Sequence, residues 1–317
     1  MKGESASCKK SGIGGAGGFG HLFSRNLREN FVGYVLILPW LLGFIAWGLT
    51  PMAATIVYSF SRYNLYTPPA WIGLENYRQM FRDPLIVKSL SNTAYMSFIG
   101  VPLHLITSLA VALLLNQRVR GVAFFRTIYY LPTVVPVVAS SMIWLWLLNP
   151  DFGLLNLLLY RLGLPRIAWF QDVKLAKPAL IMMGMWGFGP SMVLYLAALQ
   201  NVPIDLLEAA WVDGANAWQR FLHVTWPMIS PVTFFLLVTG FIGSLQMFAE
   251  AYIITGGGPA NATLFYALYL YRQAFQYTQF GYASAMGWVL FLIILALTLL
   301  QLYGSKRWVY YETGVTR

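Results

Sequence analysis

Several stretches of this chain run for about 20 residues or more with almost no charge, the length a helix needs to cross about 30 Å of hydrocarbon. No other feature restricts the fold as strongly. A membrane β-barrel would instead show short segments of alternating polarity, so continuous apolar runs select helices. Composition agrees: 58% of the 317 residues are hydrophobic and only 10% are charged. An average soluble protein carries roughly 25% charged residues. The chain reads as an all-α integral membrane protein.

The net charge of +10 does not point to nucleic acid, because the basic residues are scattered over termini and short loops with no basic stripe between aromatics. In a membrane protein such residues set orientation. The single cysteine, Cys8, excludes an internal disulfide and any multi-cysteine metal site. Residues 1–30, rich in Gly, Ser, Lys and Arg, read as a disordered tail. The apolar run that follows, from Phe31 to about Phe60, far exceeds the 7–15-residue core of a signal peptide and is expected to stay as an anchor.

Six spans are expected, at 31–58, 91–115, 127–148, 177–199, 232–254 and 283–303, within a transmembrane domain of residues 31–305. Pro39, Pro51, Pro132, Pro136 and Pro190 predict kinks, which membrane helices tolerate where neighbours satisfy the freed carbonyls. Gly184, Gly187, Gly189, Gly240 and Gly243 predict close helix approach. With the N-terminus inside, the cytoplasmic segments hold twelve Lys and Arg against nine in the opposite loops. The loop 116–126 carries Arg118, Arg120 and Arg126 and no acid. Both termini, including the tail 306–317, then lie in the cytoplasm, and 59–90, 149–176 and 255–282 face outward as connectors or docking surfaces. Tyr129, Tyr130, Trp144, Trp146, Trp308, Tyr310 and Tyr311 fall near span ends, where amphipathic rings favour the headgroup zone.

Between spans four and five lies a polar insert, 201–231, where acidic residues cluster as nowhere else in the second half of the chain. It reads as two short helices and a sharp turn. Pro203 suits a first helical position, and Asp205 and Glu208 lie in the early turns, where the helix dipole favours negative charge. Gly214 offers the left-handed conformation that ends a helix, and Asn216 with Gln219 resembles a capping box. Pro227 and Pro231 are expected to stop the second helix before span five. Small Ala209 and Ala210 admit a close partner, while Leu206, Leu207, Trp211 and Phe221 supply apolar contact. From physics alone an interfacial amphipathic helix is the competing reading.

The order Glu208-Ala209-Ala210, three residues, Gly214, then Pro227, with Asp213-Gly214-Ala215 at its centre, closely resembles the loop of binding-protein-dependent ABC importer permeases. Gly256-Gly257-Gly258-Pro259-Ala260-Asn261-Ala262-Thr263, Gly73-Leu74-Glu75-Asn76-Tyr77 and Asn92-Thr93 are similar to the maltose-type, carbohydrate-uptake branch. The resemblance covers roughly residues 30–310. It implies a coupling helix seated in a cytoplasmic ATPase, two such ATPases, a second related permease, an extracytoplasmic solute-binding protein and a sugar substrate. No Gly-x-x-x-x-Gly-Lys-Ser/Thr phosphate loop occurs here, so ATP and Mg are expected on the partner chains and no cofactor on this one.

Ionisable groups inside spans are functional candidates by default. Glu250 is the only acid in any expected span; Gln246, four residues earlier, shares its face on a continuous helix, near Phe248 and Tyr252. Amide or carboxylate groups beside aromatics suit a neutral sugar; a contact with interfacial water or a partner permease suits Glu250 equally. Trp186, Ser191 and Tyr195 on span four line the same cavity or pack between helices. His104 reads as a hydrogen-bonded core residue, and His223 lacks neighbours for a metal. Arg272 is too isolated to argue for an anionic ligand. An ion-coupled transporter would need carboxylates near the midplane, and a membrane enzyme clustered His, Asp or Glu; neither pattern is present. Permeases for amino acids, peptides or glycerol phosphates share the loop and remain the alternative importers.

Overall fold

A computed structural model describes residues 34–117 and 121–311. The expected N-terminal tail, Cys8, Arg118, Arg120 and Arg317 lie outside the described residues. Four helices are long and apolar enough to cross a membrane: Tyr34–Ser59, Pro84–Leu115, Ala217–Ile254 and Phe280–Ser305. Two bent pairs, each counted as one span, bring the number to six. Val122–Val134 joins Val137–Leu147 at 99°, and Ala176–Trp186 joins Gly189–Gln200 at 52°. In chain order these are spans one to six, with the Ala217 helix fifth. Two compact units divide after Thr55, and everything below concerns the second, except the first-span prolines noted next.

Pro51, Pro132, Pro136 and Pro190 act where expected, by two different devices, whereas the helix runs through Pro39 without a break. In span three, Leu131–Val134 tightens into a 3-10 turn with Pro132 near its start, and Pro136 caps Val137–Leu147. In span four, Trp186 ends one half and Pro190 opens the next. Elsewhere the helix widens instead of breaking. The π-turns Ile45–Leu49, Met96–Gly100 and Phe221–Thr225 each end two residues before a proline: Pro51, Pro102 and Pro227. A proline ring collides with the carbonyl four residues back, and a widened turn moves that carbonyl aside.

This corrects one expectation. Pro227 and Pro231 do not stop the second loop helix; it continues through the π-turn into Trp226–Leu245, with Pro231 inside it. Span two also begins earlier than its apolar run. Asp83 accepts from the Leu85 N–H at 2.9 Å and Pro84 takes the first helical position, so the cap, not hydropathy, fixes the start.

Two apolar clusters hold the bundle. One joins the start of spans two and four to span six through Met96, Leu180, Tyr266 and Met286. The other packs Val101, Leu105 and Ala112 of span two against Tyr195 and Leu199 of span four and Ile229 and Leu236 of span five. Among the glycines, Gly189 and Gly240 do serve close approach. A Cβ on Gly189 would come 3.0 Å from the Tyr129 carbonyl oxygen, and one on Gly240 would come 2.9 Å from Val101 Cγ1. Gly184 and Gly243 would meet nothing within 4 Å, so packing does not explain them.

Polar ties lock the segment after span five. Asn92, buried, donates to the Asn261 and Leu264 carbonyls at 2.8 and 3.1 Å and accepts from Lys177 Nζ at 3.2 Å. Thr93 Oγ1 accepts from the Tyr266 N–H at 2.9 Å. Asp83 Oδ2 accepts from the hydroxyls of Tyr269 and Tyr282 at 2.5 and 3.0 Å. Burial, reinforced by Asp83, raises the Tyr269 hydroxyl far above its ordinary pKa, so it stays a donor. Asn92→Leu orphans the buried Leu264 carbonyl, worth about 1–3 kcal/mol, and leaves the half-buried Asn261 carbonyl with only the Leu264 N–H at 3.3 Å. A thermal unfolding scan of the purified complex is expected to show a clear loss of stability.

Candidate functional site

Two places stand out: a cavity among spans two, four and five, and the polar loop at 201–231. The cavity encloses about 420 Å³. Its apolar walls come from Val101, Leu105, Ile181 and Leu236, and its polar groups from His104, Ser191, Thr239, Ser244 and Glu250. Gly184 and Gly243 border it, so their missing side chains become open space.

His104 reaches span four through both ring nitrogens, with Nδ1 3.3 Å from the Gly184 carbonyl and Nε2 3.2 Å from Ser191 Oγ. A carbonyl only accepts, so Nδ1 carries the proton there and Nε2 of a neutral ring accepts from the Ser191 hydroxyl. Ser97 Oγ donates to Ser244 Oγ at 3.0 Å. Glu250 faces the cavity and makes no hydrogen bond or ion pair with the described residues. An apolar cavity with a few convergent polar groups can hold a small polar solute and fix its orientation.

The expected pairing of Gln246 with Glu250 does not occur. The helix ends at Leu245 and resumes at Ala249, so a spacing of four no longer shares a face. Gln246 is exposed and donates to the carbonyl of Ile242 at 3.2 Å. Tyr195 is buried in the second apolar cluster, and Trp186 stands edge-on to Trp144 at 6.0 Å; neither lines the cavity. Sequence reasoning picked out Glu250 and Ser191 but gave His104 only a core role. It missed Thr239 and Ser244. Their signal was available: a His, hydroxyls and side-chain-free glycines within charge-free spans.

The polar loop is built by its caps. Helix Ile204–Val212 begins one residue after Pro203 and carries Asp205 in its first turn. It ends with Gly214 at φ +83°; the Gly214 N–H donates to the Trp211 carbonyl at 3.0 Å and the Ala215 N–H to Ala210 at 2.9 Å. That double bond pattern satisfies carbonyls which would otherwise end the helix unpaired. Asn216 and Gln219 exchange side-chain and backbone bonds, both 2.9 Å, in a full capping box. Phe221 stacks on Trp218 at 5.6 Å and lies tilted against Trp226 at 6.3 Å.

What the loop presents is unusual for a polar segment. Ile204, Leu206, Trp211, Val212 and Trp218 are exposed, with Val212 at 79%. Glu208, Ala209 and Asp213 are exposed beside them. Behind Gly214 a shallow hollow of about 350 Å³ is bordered by Ala210, Ala215, Arg220 and His223, and Arg220 Nε is buried with no hydrogen-bond partner among the described residues.

Several apolar membrane-length helices, with a polar-lined cavity among spans two, four and five, are the architecture of a membrane permease. The chain belongs to the family of binding-protein-dependent transport system inner membrane components, which matches residues 89–310. A probable ABC transporter permease protein, YesP, of Bacillus subtilis is 42% identical over 92% of this chain and 96% of its own. The arabinooligosaccharides transport system permease protein AraP of Halalkalibacterium halodurans is 34% identical over 89% of this chain and 90% of its own. The fold is also that of a chain in a bacterial alginate ABC transporter crystallised with its alginate-bound periplasmic protein. That chain has a TM-score of 0.79, with 23% identity over 89% of this chain and 96% of its own. The protein is thus a multi-pass inner-membrane permease subunit of a transport system.

Proposed function

We propose that this chain forms the translocation pathway of an ATP-driven importer for a sugar or oligosaccharide. The exposed loop 201–231, capped at Gly214 and edged by Trp211 and Val212, is the observation that carries this reading. An ATP-driven permease without a phosphate loop receives work from another chain, and this apolar, rigidly capped projection suits a groove on a partner. In this reading Glu208, Ala209, Ala210, Asp213, Gly214, Ala215, Phe221 and Pro227 couple to a cytoplasmic ATPase subunit. Two such subunits hold ATP and Mg, a second homologous permease completes the pathway, and an extracytoplasmic binding protein delivers solute. The termini and loop face the cytoplasm, as the Lys and Arg bias suggests.

Solute occupies the cavity, where the Glu250 carboxylate, His104 and the hydroxyls of Ser191, Thr239 and Ser244 meet its hydroxyls. The sugar assignment draws support from relatives named for carbohydrate uptake. The deciding experiment purifies the complex, identifies its binding protein and titrates that protein calorimetrically against sugars, oligosaccharides and amino acids. Micromolar or tighter binding of a saccharide is expected. Tight binding of an amino acid with no saccharide binding would overturn the substrate.

A further inference from the structure

Apart from the membrane cavity, a second pocket of about 370 Å³ opens between the turn after span one, the helix Glu75–Arg82 and the turn before span six. Its size falls in the range of small-molecule sites, about 300–1,000 Å³. Its base is fixed. The Gly281 N–H donates to the Tyr63 carbonyl at 3.1 Å, and a Cβ on Gly281 would come 2.1 Å from the Ser61 carbonyl oxygen. Asn76, buried, donates to the Ser59 and Ser61 carbonyls at 2.9 and 3.0 Å. On the far side Tyr282 is tied to Asp83.

The walls are the opposite of the base. The side chains of Arg62, Gln79 and Gln279 and the hydroxyl of Tyr277 make no hydrogen bond or ion pair with the described residues. Thr278, between Tyr277 and Gln279, holds φ at +53°. A β-branched residue rarely adopts that conformation, and such backbone clusters at ligand sites. Tyr277 adds an exposed ring, while the Tyr63 ring beside it is stacked on Tyr58 at 4.6 Å. The one acid, Glu75, already pairs with Arg78 at 3.8 Å. Rigid base, unpaired amides and guanidinium, and an aromatic face form the set that grips a ring carrying hydroxyls on its edge and C–H groups on its face.

We propose that this pocket is an outer saccharide subsite, which holds one neutral sugar unit of an oligosaccharide on the extracytoplasmic side, ahead of the membrane cavity. Gln79 and Gln279 bond its hydroxyls, Arg62 donates to a further oxygen, and Tyr277 covers its face. The inference rests on the importer orientation and sugar substrate proposed above.

The test uses the assembled transporter in nanodiscs without its binding protein, and an equimolar mixture of malto-, cello-, xylo- and arabinotriose. Saturation-transfer NMR reads which sugars touch the protein. One trisaccharide signal is expected in the wild type and in Gly243→Phe, which fills the membrane cavity, and it falls at least fivefold when Gln79→Ala/Gln279→Ala is added to that variant. Elution of each variant complex as a single species guards against misfolding. The subsite is overturned if the combined variant keeps the full signal, or if Gly243→Phe alone removes it. It is overturned equally if no trisaccharide binds although the complete system takes up saccharide. Absence of any saccharide uptake by the complete wild-type system would instead sink the sugar reading itself.

Discussion

Gly214→Pro is expected to reduce solute uptake by roughly tenfold or more, equivalent to about 1.4 kcal/mol or more in the coupled step, while the protein still inserts in the membrane. Gly214 sits at φ +83° and its N–H closes the helix onto Trp211. Proline holds φ near about −65° and has no N–H, so it removes both the conformation and the bond. The exposed edge of Trp211 and Val212 then loses its angle relative to Asn216 and the second loop helix. Gly214→Asn is the control, because Asn enters the left-handed region at little cost. Uptake measured in cells or proteoliposomes, with membrane content quantified in parallel, separates the cases. Normal uptake by the proline variant would mean that the loop transmits nothing through this turn.

Gly243→Phe is expected to block uptake to a similar degree, roughly tenfold or more, through a different link. A Cβ at Gly243 meets nothing within 4 Å, and the residue borders the 420 Å³ cavity. An aromatic side chain is therefore expected to extend into the cavity, with membrane insertion and complex assembly normal. Gly240→Leu gives the contrast. Its Cβ would come 2.9 Å from Val101 Cγ1, where spans two and five touch, so overpacking costs about 1–3 kcal/mol and appears as lower thermal stability. If the filled cavity leaves uptake kinetics untouched, solute does not pass through it.

The pathway was only partly legible in the primary structure. Glu250 announced itself as an acid in an apolar span, and it does face the cavity. Its supposed companion Gln246 rested on an unbroken helix, whereas the chain pauses between Leu245 and Ala249. No proline marks that pause, so periodicity alone gave no warning. His104 read as a core residue because nothing in span two reveals that Ser191 and Gly184 lie opposite, some 80 positions away. Tyr195 and Trp186 looked equally suited to a solute, yet helix rotation turns one into the apolar cluster and the other against Trp144. The loop was easier. Its helix stop, capping box and acidic first turn are local devices whose chemistry lies within four or five residues.

Sequence by itself determined the membrane class, the apolar runs that become helices, the position of the polar loop and the caps that shape it. Each depends on interactions along one helix or between a residue and lipid, and such interactions are written in order and composition. Tertiary structure alone decided which glycines pack and which open a cavity, where span five breaks, and which hydroxyls gather around Glu250. Those outcomes depend on how helices rotate and approach one another. With apolar residues on nearly every face of these spans, no hydrophobic stripe in the sequence records that choice.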